Sequence, residues 1–298
     1  RIQELHVETI SQASARQRRG RCGRTADGGC VHLYTAEDLA KAEAYTDPEI
    51  KRTSLAGVIL QMAVLRLPRI DRFPFPDPPQ SSLIREGLRH LEDLGAMLPG
   101  GRLTREGWRL ADLPIDPHIG KMLLEASRRN VLHDMLPLAA FLSIQDPAER
   151  PYDRQQQADE AHRKFQDETS DYMGILKLWR LFRTEAQSNS LMRRFAKANF
   201  MNFNRLREWR NLEADLRESC KDAGCTLPDI VPETVDADNI HKSILSGVPR
   251  QIAKYVPEYR FYMGAGGKKY VLFPGSGLSK RKKPAAWIVS FALVETAR

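Results

Sequence analysis

The chain has 298 residues, with 46 Lys and Arg against 38 Asp and Glu, which gives a formal net charge of +8. This length supports about two domains or more, and the basic balance favours an anionic partner. Mean hydropathy is −0.47, and no apolar run approaches the roughly 18 residues of a membrane span, which excludes an integral membrane protein. The first residues have no apolar core and no initiator Met, so we expect a fragment without a signal peptide.

The four cysteines predict a reducing compartment. Cys22, Cys30, Cys220 and Cys225 form no CxxC pair and are too few for a disulfide framework in a chain of this length. A zinc site would need Cys22, Cys30 and His32 plus a fourth ligand, and their spacings match no usual zinc knuckle. We therefore expect no metal site and a cytoplasmic location.

Residues 1–47 have the pattern of the end of an α/β domain. The segment LHVETI favours a strand, and Ser11 is a suitable N-cap for a helix that runs to Arg19 and ends at Gly20. The β-branched and aromatic segment CVHLYT, residues 30–35, favours a second strand.

Residues 48–115 predict a winged helix. Apolar positions from Leu55 to Met62 lie on one helical face. After a proline-rich connection, a second helix begins at an N-cap of Ser81 or Ser82, and a glycine-containing hairpin follows it.

Residues 116–224 carry helical patterns only, which predicts a helical bundle. The expected helices cover 119–129, 131–144, 154–166, 168–184 and 190–220.

Residues 225–298 change to strand patterns after a helix at 239–246. The segments QIAKYV, EYRFYM, KKYVLF and WIVSFALVE predict four strands. An OB fold normally needs five strands, so we expect a partial, truncated OB-like barrel. The fold class is thus predicted to be multidomain α+β.

The segment QRRGRCGR carries the strongest chemical signal. Gln17 and Arg21 are four residues apart on one helical face, and Arg24 lies one turn further. A planar amide and two guanidinium groups can converge there on one anion, and a triphosphate is the expected target because arginines neutralise the charge on a transferring phosphoryl group. The alternative interpretation is a basic, solvated helix end.

This segment resembles motif VI of superfamily 2 helicases. The segments TDPEIKRTSLAGVILQM, LADLPIDPHIGKML, NFMNFNRLREW and FPGSGLSKRKKPAAWIVSFALVET then occur in an order similar to that of bacterial HrpA-type DEAH-box ATP-dependent RNA helicases. The resemblance covers nearly the whole chain. It implies the end of a second RecA-like domain, a winged helix, a helical ratchet domain and an OB fold.

The resemblance also implies roles for individual residues. Gln17 would contact the γ-phosphate and the attacking water, Arg21 and Arg24 would be arginine fingers, and Arg18 would support them. The complete enzyme would use ATP with Mg²⁺. This chain contains no GxxxxGK[ST] phosphate loop, so alone it is expected to bind no cofactor and to hydrolyse no ATP.

A DEAH string at Asp159–His162 is interpreted as a coincidence. A working motif would follow a buried apolar strand that places its carboxylate beside a phosphate loop. The preceding residues 154–158 are polar and helical, which predicts a solvated helix.

Two basic segments are candidates for RNA contact. Residues 250–283 hold nine Lys or Arg against Glu258 alone, and the cluster Lys280, Arg281, Lys282 and Lys283 is predicted to reach phosphates. In the other segment, 188–210, Asn and Arg side chains could bond ribose and phosphate, with Asn199 and Arg205 as candidate contacts. The resemblance implies that this segment is the ratchet helix along single-stranded RNA.

The expected partners are single-stranded or structured RNA and the N-terminal RecA-like domain of the same protein, with the chain otherwise a monomer. Two alternatives stay open. One is a non-enzymatic RNA- or DNA-binding module of winged helix plus OB fold, and the other is a winged-helix transcription factor that prefers duplex DNA.

Overall fold

The computed structural model describes residues 2–4, 10–23, 25–227 and 233–295. Over these residues the helices are α1 Gln12–Arg19, α2 Ala36–Lys41, α3 Ala56–Val64, α4 Ser81–Asp93, α5 Arg105–Ala111, α6 Pro117–Arg128, α7 Leu132–Ser143, α8 Gln155–Arg163, α9 Asp171–Glu185, α10 Asn189–Ala198, α11 Phe203–Asp222 and α12 Ala237–Gly247. The strands are β1 Ile2–Glu4, β2 Met97–Leu98, β3 Arg102–Leu103, β4 Ile252–Val256, β5 Phe261–Gly264, β6 Lys269–Tyr270, β7 Trp287–Val289 and β8 Leu293–Glu295.

Helix α1 begins and ends where the sequence predicts. The Ser11 hydroxyl accepts a hydrogen bond from the Ser14 backbone N–H at 3.1 Å, and it also lies 2.8 Å from the Thr46 hydroxyl. The Gly20 N–H closes the last turn on the Arg16 carbonyl at 2.9 Å. The predicted N-cap and helix end are therefore confirmed.

The strand predicted at residues 30–35 is wrong. These residues are irregular, and the side chains of Val31 and Leu33 are 88% and 97% exposed. Thr35 instead caps α2 in a reciprocal capping box with Asp38. The residue types of this segment favour a strand, but no described strand lies beside the segment to pair with it. Most of the other predicted strand, residues 5–9, lies outside the described residues.

Helices α3, α4 and α5 surround the β2–β3 hairpin. Gly87 of α4 allows close packing on α3, since a Cβ there would lie 2.8 Å from Ile59 Cδ1. The hairpin pairs Met97 with Leu103 in antiparallel register, and its turn uses two glycines with positive φ. Helix α4 has its N-cap at Gln80, one residue before the predicted serines, and α5 was not predicted. The winged-helix interpretation stays a prediction.

One hydrophobic core runs from Leu55 to Val248. It includes Leu91 of α4, Leu110 of α5 and the fully buried Ile244 of α12. Helices α3–α5, the bundle and α12 therefore exclude water from a common interior. Among the described residues of 10–47, by contrast, Ala15 is the only hydrophobic residue that is buried.

The bundle α6–α11 confirms the helical prediction, with one correction. The helix predicted over 190–220 is two helices, broken at residues 199–202. Phe200 has φ 51°, a left-handed conformation that a continuing α-helix cannot contain. The Asn202 side chain then caps α11 by accepting from the backbone N–H groups of Asn204 and Arg205.

Trp209 lies at the centre of the bundle. Its ring is fully buried, stacks on Phe182 with centroids 6.0 Å apart, and lies 4.8 Å from the ring of Trp179. Its indole N–H donates to the Pro137 carbonyl at 2.8 Å. The side chain thus satisfies its one polar group while it buries a large apolar surface.

The C-terminal strands form an open sheet, which corrects the predicted partial OB-like barrel. The order is β6-β5-β4-β7, all antiparallel, and β8 pairs in parallel with β1 instead. Because β6 and β7 lie at opposite edges, the described strands do not close on themselves. The last predicted strand is also split into β7 and β8.

In the part of the chain that the structure describes, we find no helix with both the length and the apolar character needed to span a membrane.

Replacing Trp209 by alanine is expected to destabilise the chain by about 3–5 kcal/mol, because it removes a fully buried aromatic side chain. Trp108→Ala is the matched control, since Trp108 is 45% exposed, and it should cost under about 1 kcal/mol. Urea unfolding followed by circular dichroism measures both changes. Equal destabilisation in the two variants would contradict the placement of Trp209 at the centre of the core.

Candidate nucleotide and nucleic-acid contacts

The candidate phosphate contacts lie at the C-terminal end of α1. Gln17 and Arg18 are exposed in the last turn, and Arg21 is exposed in the turn that follows Gly20, with its N–H bonded to the Arg18 carbonyl at 3.1 Å. The spacing predicts that Arg21 shares a helical face with Gln17. The structure instead places Arg21 beyond the end of α1. Arg24 lies outside the described residues.

The charge at this end of α1 is strongly positive. The last turn contains Arg16, Arg18 and Arg19, and the partial negative charge at a helix C-terminus favours such cations. Their exposure leaves the guanidinium groups directed to solvent, where they can meet an anion on another surface.

The basic loop, defined as Lys280–Lys283, is anchored on the start of α9. The carboxylate of Asp171 accepts from the Ser276 hydroxyl at 2.6 Å and from the Gly277 N–H at 3.0 Å. Lys280 donates to the Gln166 side-chain oxygen at 2.6 Å. The remaining three cations of the loop are exposed, so the bundle holds the loop in place while its charges face solvent.

Gly277 permits this docking because the chain passes very close to Asp167. A Cβ at Gly277 would lie 2.0 Å from the Asp167 carbonyl oxygen. The Asp167 carboxylate accepts from Lys177 Nζ at 2.6 Å and from the Thr169 N–H at 2.8 Å. Burial opposes its ionisation, but these hydrogen bonds outweigh burial and hold the pKa of Asp167 well below its usual value.

The two candidate RNA contacts at the α10–α11 break differ in exposure. Asn199 is 2% exposed, its amide N–H donates to the Phe195 carbonyl at 2.8 Å, and its Oδ1 atom has no hydrogen-bond partner among the described residues. Arg205 is half-buried and donates to the Asp146 carbonyl at 2.8 Å. A direct RNA contact by Asn199 would require its side chain to leave the interior, and both contacts stay predictions.

A cation–aromatic cluster beside this break was not predicted. The guanidinium groups of Arg193 and Arg207 lie 4.8 and 5.7 Å from the ring centre of Phe203. Both arginines are exposed. Sequence spacing indicates the Phe203–Arg207 pair, four residues apart on α11, but Arg193 comes from α10 and is brought there only by the break.

The outer face of the C-terminal sheet carries a second such cluster. Lys254 lies opposite Trp287 in the β4–β7 register, with its ammonium group 5.7 Å from the ring centre. Lys269 lies 5.2 Å from the ring of Phe261, which stacks on the exposed Tyr259. Alternation along the strands predicts that some aromatics face out, and the cross-strand register decides which lysine meets which ring.

The DEAH string lies on helix α8, where Asp159 and Glu160 are exposed, as predicted, and His162 is half-buried. Asp159 forms a two-pronged ion pair with Arg150, with both N–O distances 2.8 Å. Among the described residues, no group of three or more His, Cys, Asp or Glu side chains is placed to hold a metal ion.

Comparison with known proteins shows what the chain is similar to. Residues 116–214 match the model of the helicase-associated domain HA2, described as ratchet-like. Over its full length the chain is 40% identical to the ATP-dependent RNA helicase HrpA of Escherichia coli (strain K12) and 41% identical to the HrpA homolog of Haemophilus influenzae. The predicted resemblance to HrpA-type DEAH-box RNA helicases is confirmed.

The HrpA-type relatives are much longer than this chain. It spans 23% of each bacterial relative, and it covers 41% of the probable ATP-dependent RNA helicase DHX35 of Homo sapiens, to which it is 30% identical over 300 residues. The HA2 match covers helices α6–α10 and the first part of α11, so the ratchet-like helical part of the predicted fold class is also confirmed.

Asp167→Asn should destabilise the chain most near neutral pH. A carboxyl whose pKa is depressed in the folded state stabilises that state above its unfolded pKa of about 3.9, and this contribution disappears as the pH falls towards the folded value. The stability difference between Asp167→Asn and wild type should therefore shrink below about pH 4. Urea unfolding across this range measures the effect. Asp153→Asn, at a side chain 76% exposed, should change stability little at any pH, and the same profile for both variants would contradict a role for the depressed pKa of Asp167.

Proposed function

We propose that this chain is the part of an ATP-dependent RNA helicase that follows the phosphate-loop domain. In this proposal it supplies arginine fingers to an ATP site and several surfaces to an RNA channel, and cleft opening and closing moves single-stranded RNA across those surfaces. The observation that carries the proposal is the 40% identity to the helicase HrpA over the whole of this chain, with the HA2 match at its centre.

The proposed ATP contacts are Gln17, Arg21 and Arg24, with Arg18 in support. The exposed, basic end of α1 supports this assignment, because a finger must reach across a cleft to a triphosphate held elsewhere. As the negative charge on the γ-phosphoryl oxygens rises in the transition state, a guanidinium group stabilises it, and the Gln17 amide orients the attacking water.

The other substrate-binding groups would come from outside this chain. The chain has no phosphate loop, so ATP and its Mg²⁺ would be held mainly by the N-terminal RecA-like domain of the same protein. We propose a monomeric, cytoplasmic enzyme whose isolated C-terminal part does not hydrolyse ATP.

The proposed RNA contacts are the basic loop together with Asn199 and Arg205. The docking of the loop on α9 supports its role, because cations held by a rigid support lose less conformational freedom on binding phosphate than cations on a free loop. Contacts to phosphate and ribose would hold RNA without reading its sequence.

A non-enzymatic RNA- or DNA-binding module is the second candidate. The cation–aromatic face of the C-terminal sheet favours it, because stacking faces beside lysines suit single-stranded nucleic acid without any need for ATP. The two functions differ in whether the arginines of α1 control ATP hydrolysis.

Arg21→Ala is expected to reduce ATP hydrolysis by about 10³-fold or more when the chain is combined with a phosphate-loop domain and RNA, because a transition-state charge loses its partner. Arg16→Ala is the matched control, since Arg16 is an exposed arginine in the last turn of α1 and has no assigned contact with ATP. The measurement is the RNA-stimulated release of phosphate. Hydrolysis that is equally fast in both variants would exclude the finger role and favour the non-enzymatic module.

Replacing Arg281, Lys282 and Lys283 together by alanine is expected to weaken binding of single-stranded RNA. The log–log dependence of affinity on salt should become shallower by roughly 0.7 for each phosphate that the loop no longer neutralises. The control removes three exposed cations elsewhere, Lys41, Arg52 and Arg72, and leaves the same net charge. Equal weakening in the two triple variants would show a general charge effect rather than direct binding by the loop.

A further inference from the structure

The two buried cysteines meet at the end of α11. Gly224 has φ 70°, the Cys225 N–H donates to the Cys220 carbonyl at 2.8 Å, and the Gly224 N–H donates to the Lys221 carbonyl at 2.9 Å. This pair of bonds is a Schellman motif, in which the side chains at these two positions normally touch as an apolar contact. Here both of these positions are cysteines.

The backbone geometry permits a bond between them. A 2.8 Å hydrogen bond between Cys225 N and Cys220 O keeps the two Cα atoms within about 7 Å of each other, given standard bond lengths. Disulfides span Cα separations of up to about 6.8 Å. The backbone separation is therefore within the range of a disulfide.

The surroundings of Cys225 distinguish it from an ordinary core thiol. The Arg109 guanidinium of α5 lies 3.9 Å from its Sγ atom, and the hydroxyl of Ser127 of α6 accepts from the N–H of the next residue, Thr226, at 3.0 Å. The hydrogen bond from the Cys220 thiol, together with these groups, lowers the pKa of Cys225, and the same bond and burial raise the pKa of Cys220. Cys225 is thus the nucleophile of the pair and Cys220 keeps its proton.

We propose that Cys220 and Cys225 form a peroxide-sensitive dithiol, a modification site separate from the ATP and RNA contacts. The Cys225 thiolate attacks one oxygen of hydrogen peroxide, which breaks the O–O bond, leaves Cys225 as a sulfenic acid and, with one proton, releases water. The Cys220 sulfur then attacks the Cys225 sulfur, the S–O bond breaks, and a second water leaves with the Cys220 proton. Two thiols are oxidised to one disulfide, and one peroxide is reduced to two waters.

The two cysteines differ in their exposure. Cys225 is 8% exposed and Cys220 is fully buried, so a small oxidant is expected to meet Cys225 first. The order of the two steps follows from this difference, because the less buried thiolate reacts first and the fully buried thiol completes the bond.

The test uses the whole chain with Cys22→Ser and Cys30→Ser, which removes the two exposed cysteines. After treatment with hydrogen peroxide at about pH 7, the chain is denatured, alkylated with N-ethylmaleimide and digested with trypsin. Because Lys221 lies between the two cysteines, trypsin cuts between them. The expected product is peptide 218–221 linked by a disulfide to peptide 222–242.

Two variants test the roles within the pair. Cys220→Ser should stop at a Cys225 sulfenic acid that dimedone traps, and Arg109→Gln should slow oxidation on the order of threefold to tenfold at neutral pH but little above about pH 9. Full alkylation of both cysteines after peroxide, or a disulfide between two molecules, would overturn the proposal and leave a plain apolar contact. An unchanged rate in Arg109→Gln would overturn the activation of Cys225 by Arg109.

Discussion

The close contact between α6 and α12 holds the C-terminal sheet on the helical bundle. A Cβ at Gly247 would lie 2.3 Å from the His118 carbonyl oxygen, so the two helices can approach this closely only where α12 has no side chain. The His118 ring donates from Nδ1 to the Gly247 carbonyl at 2.7 Å, and Ile240 and Ile244 fill the core beneath. Strand β4 begins five residues later, so its position follows from this contact.

The same bundle positions most of the candidate RNA contacts. Asp171 at the start of α9 anchors the basic loop, and the α10–α11 break presents Arg193 and Arg207 around Phe203. These cations come from separate parts of the sequence but rest on one hydrophobic core. A domain that moves as a unit under ATP hydrolysis would carry all of them together, which is what the proposed coupling to RNA requires.

Local signals allowed much of the fold to be predicted, and long-range contacts explain the rest. The cap of α1 and the β2–β3 hairpin depend on residues a few positions apart, and both are present. The break at Phe200 could not be predicted, because its carbonyl is held by the Glu149 N–H and by His162, which are distant in sequence. Residues 30–35 have strand composition, but strand formation also needs a partner, and the competing capping box at Thr35 is local.

In the candidate sites too, local sequence predicts some features and long-range contacts determine the others. The density of positive charge in the sequence predicts the basic loop, and the exposure of its side chains agrees with this prediction. The sequence could not predict that Asp171 anchors the loop, because the bonded residues are more than 100 positions apart. Asn199 was chosen as a polar residue in a basic helix, and nothing in the local sequence indicates that its side chain turns into the interior. Strand register and side-chain burial determine which candidate side chains can contact a ligand, and both depend on the complete fold.

Fluorescence anisotropy of the chain with labelled single-stranded RNA, duplex RNA and duplex DNA tests the central claim most directly. Across about 50 to 300 mM salt, we predict the tightest binding to single-stranded RNA, with a log–log slope that corresponds to several phosphate contacts at roughly 0.7 each. Tighter binding to duplex DNA, or an affinity for single-stranded RNA no greater than for the duplexes, would contradict an RNA channel built on the bundle and the C-terminal sheet.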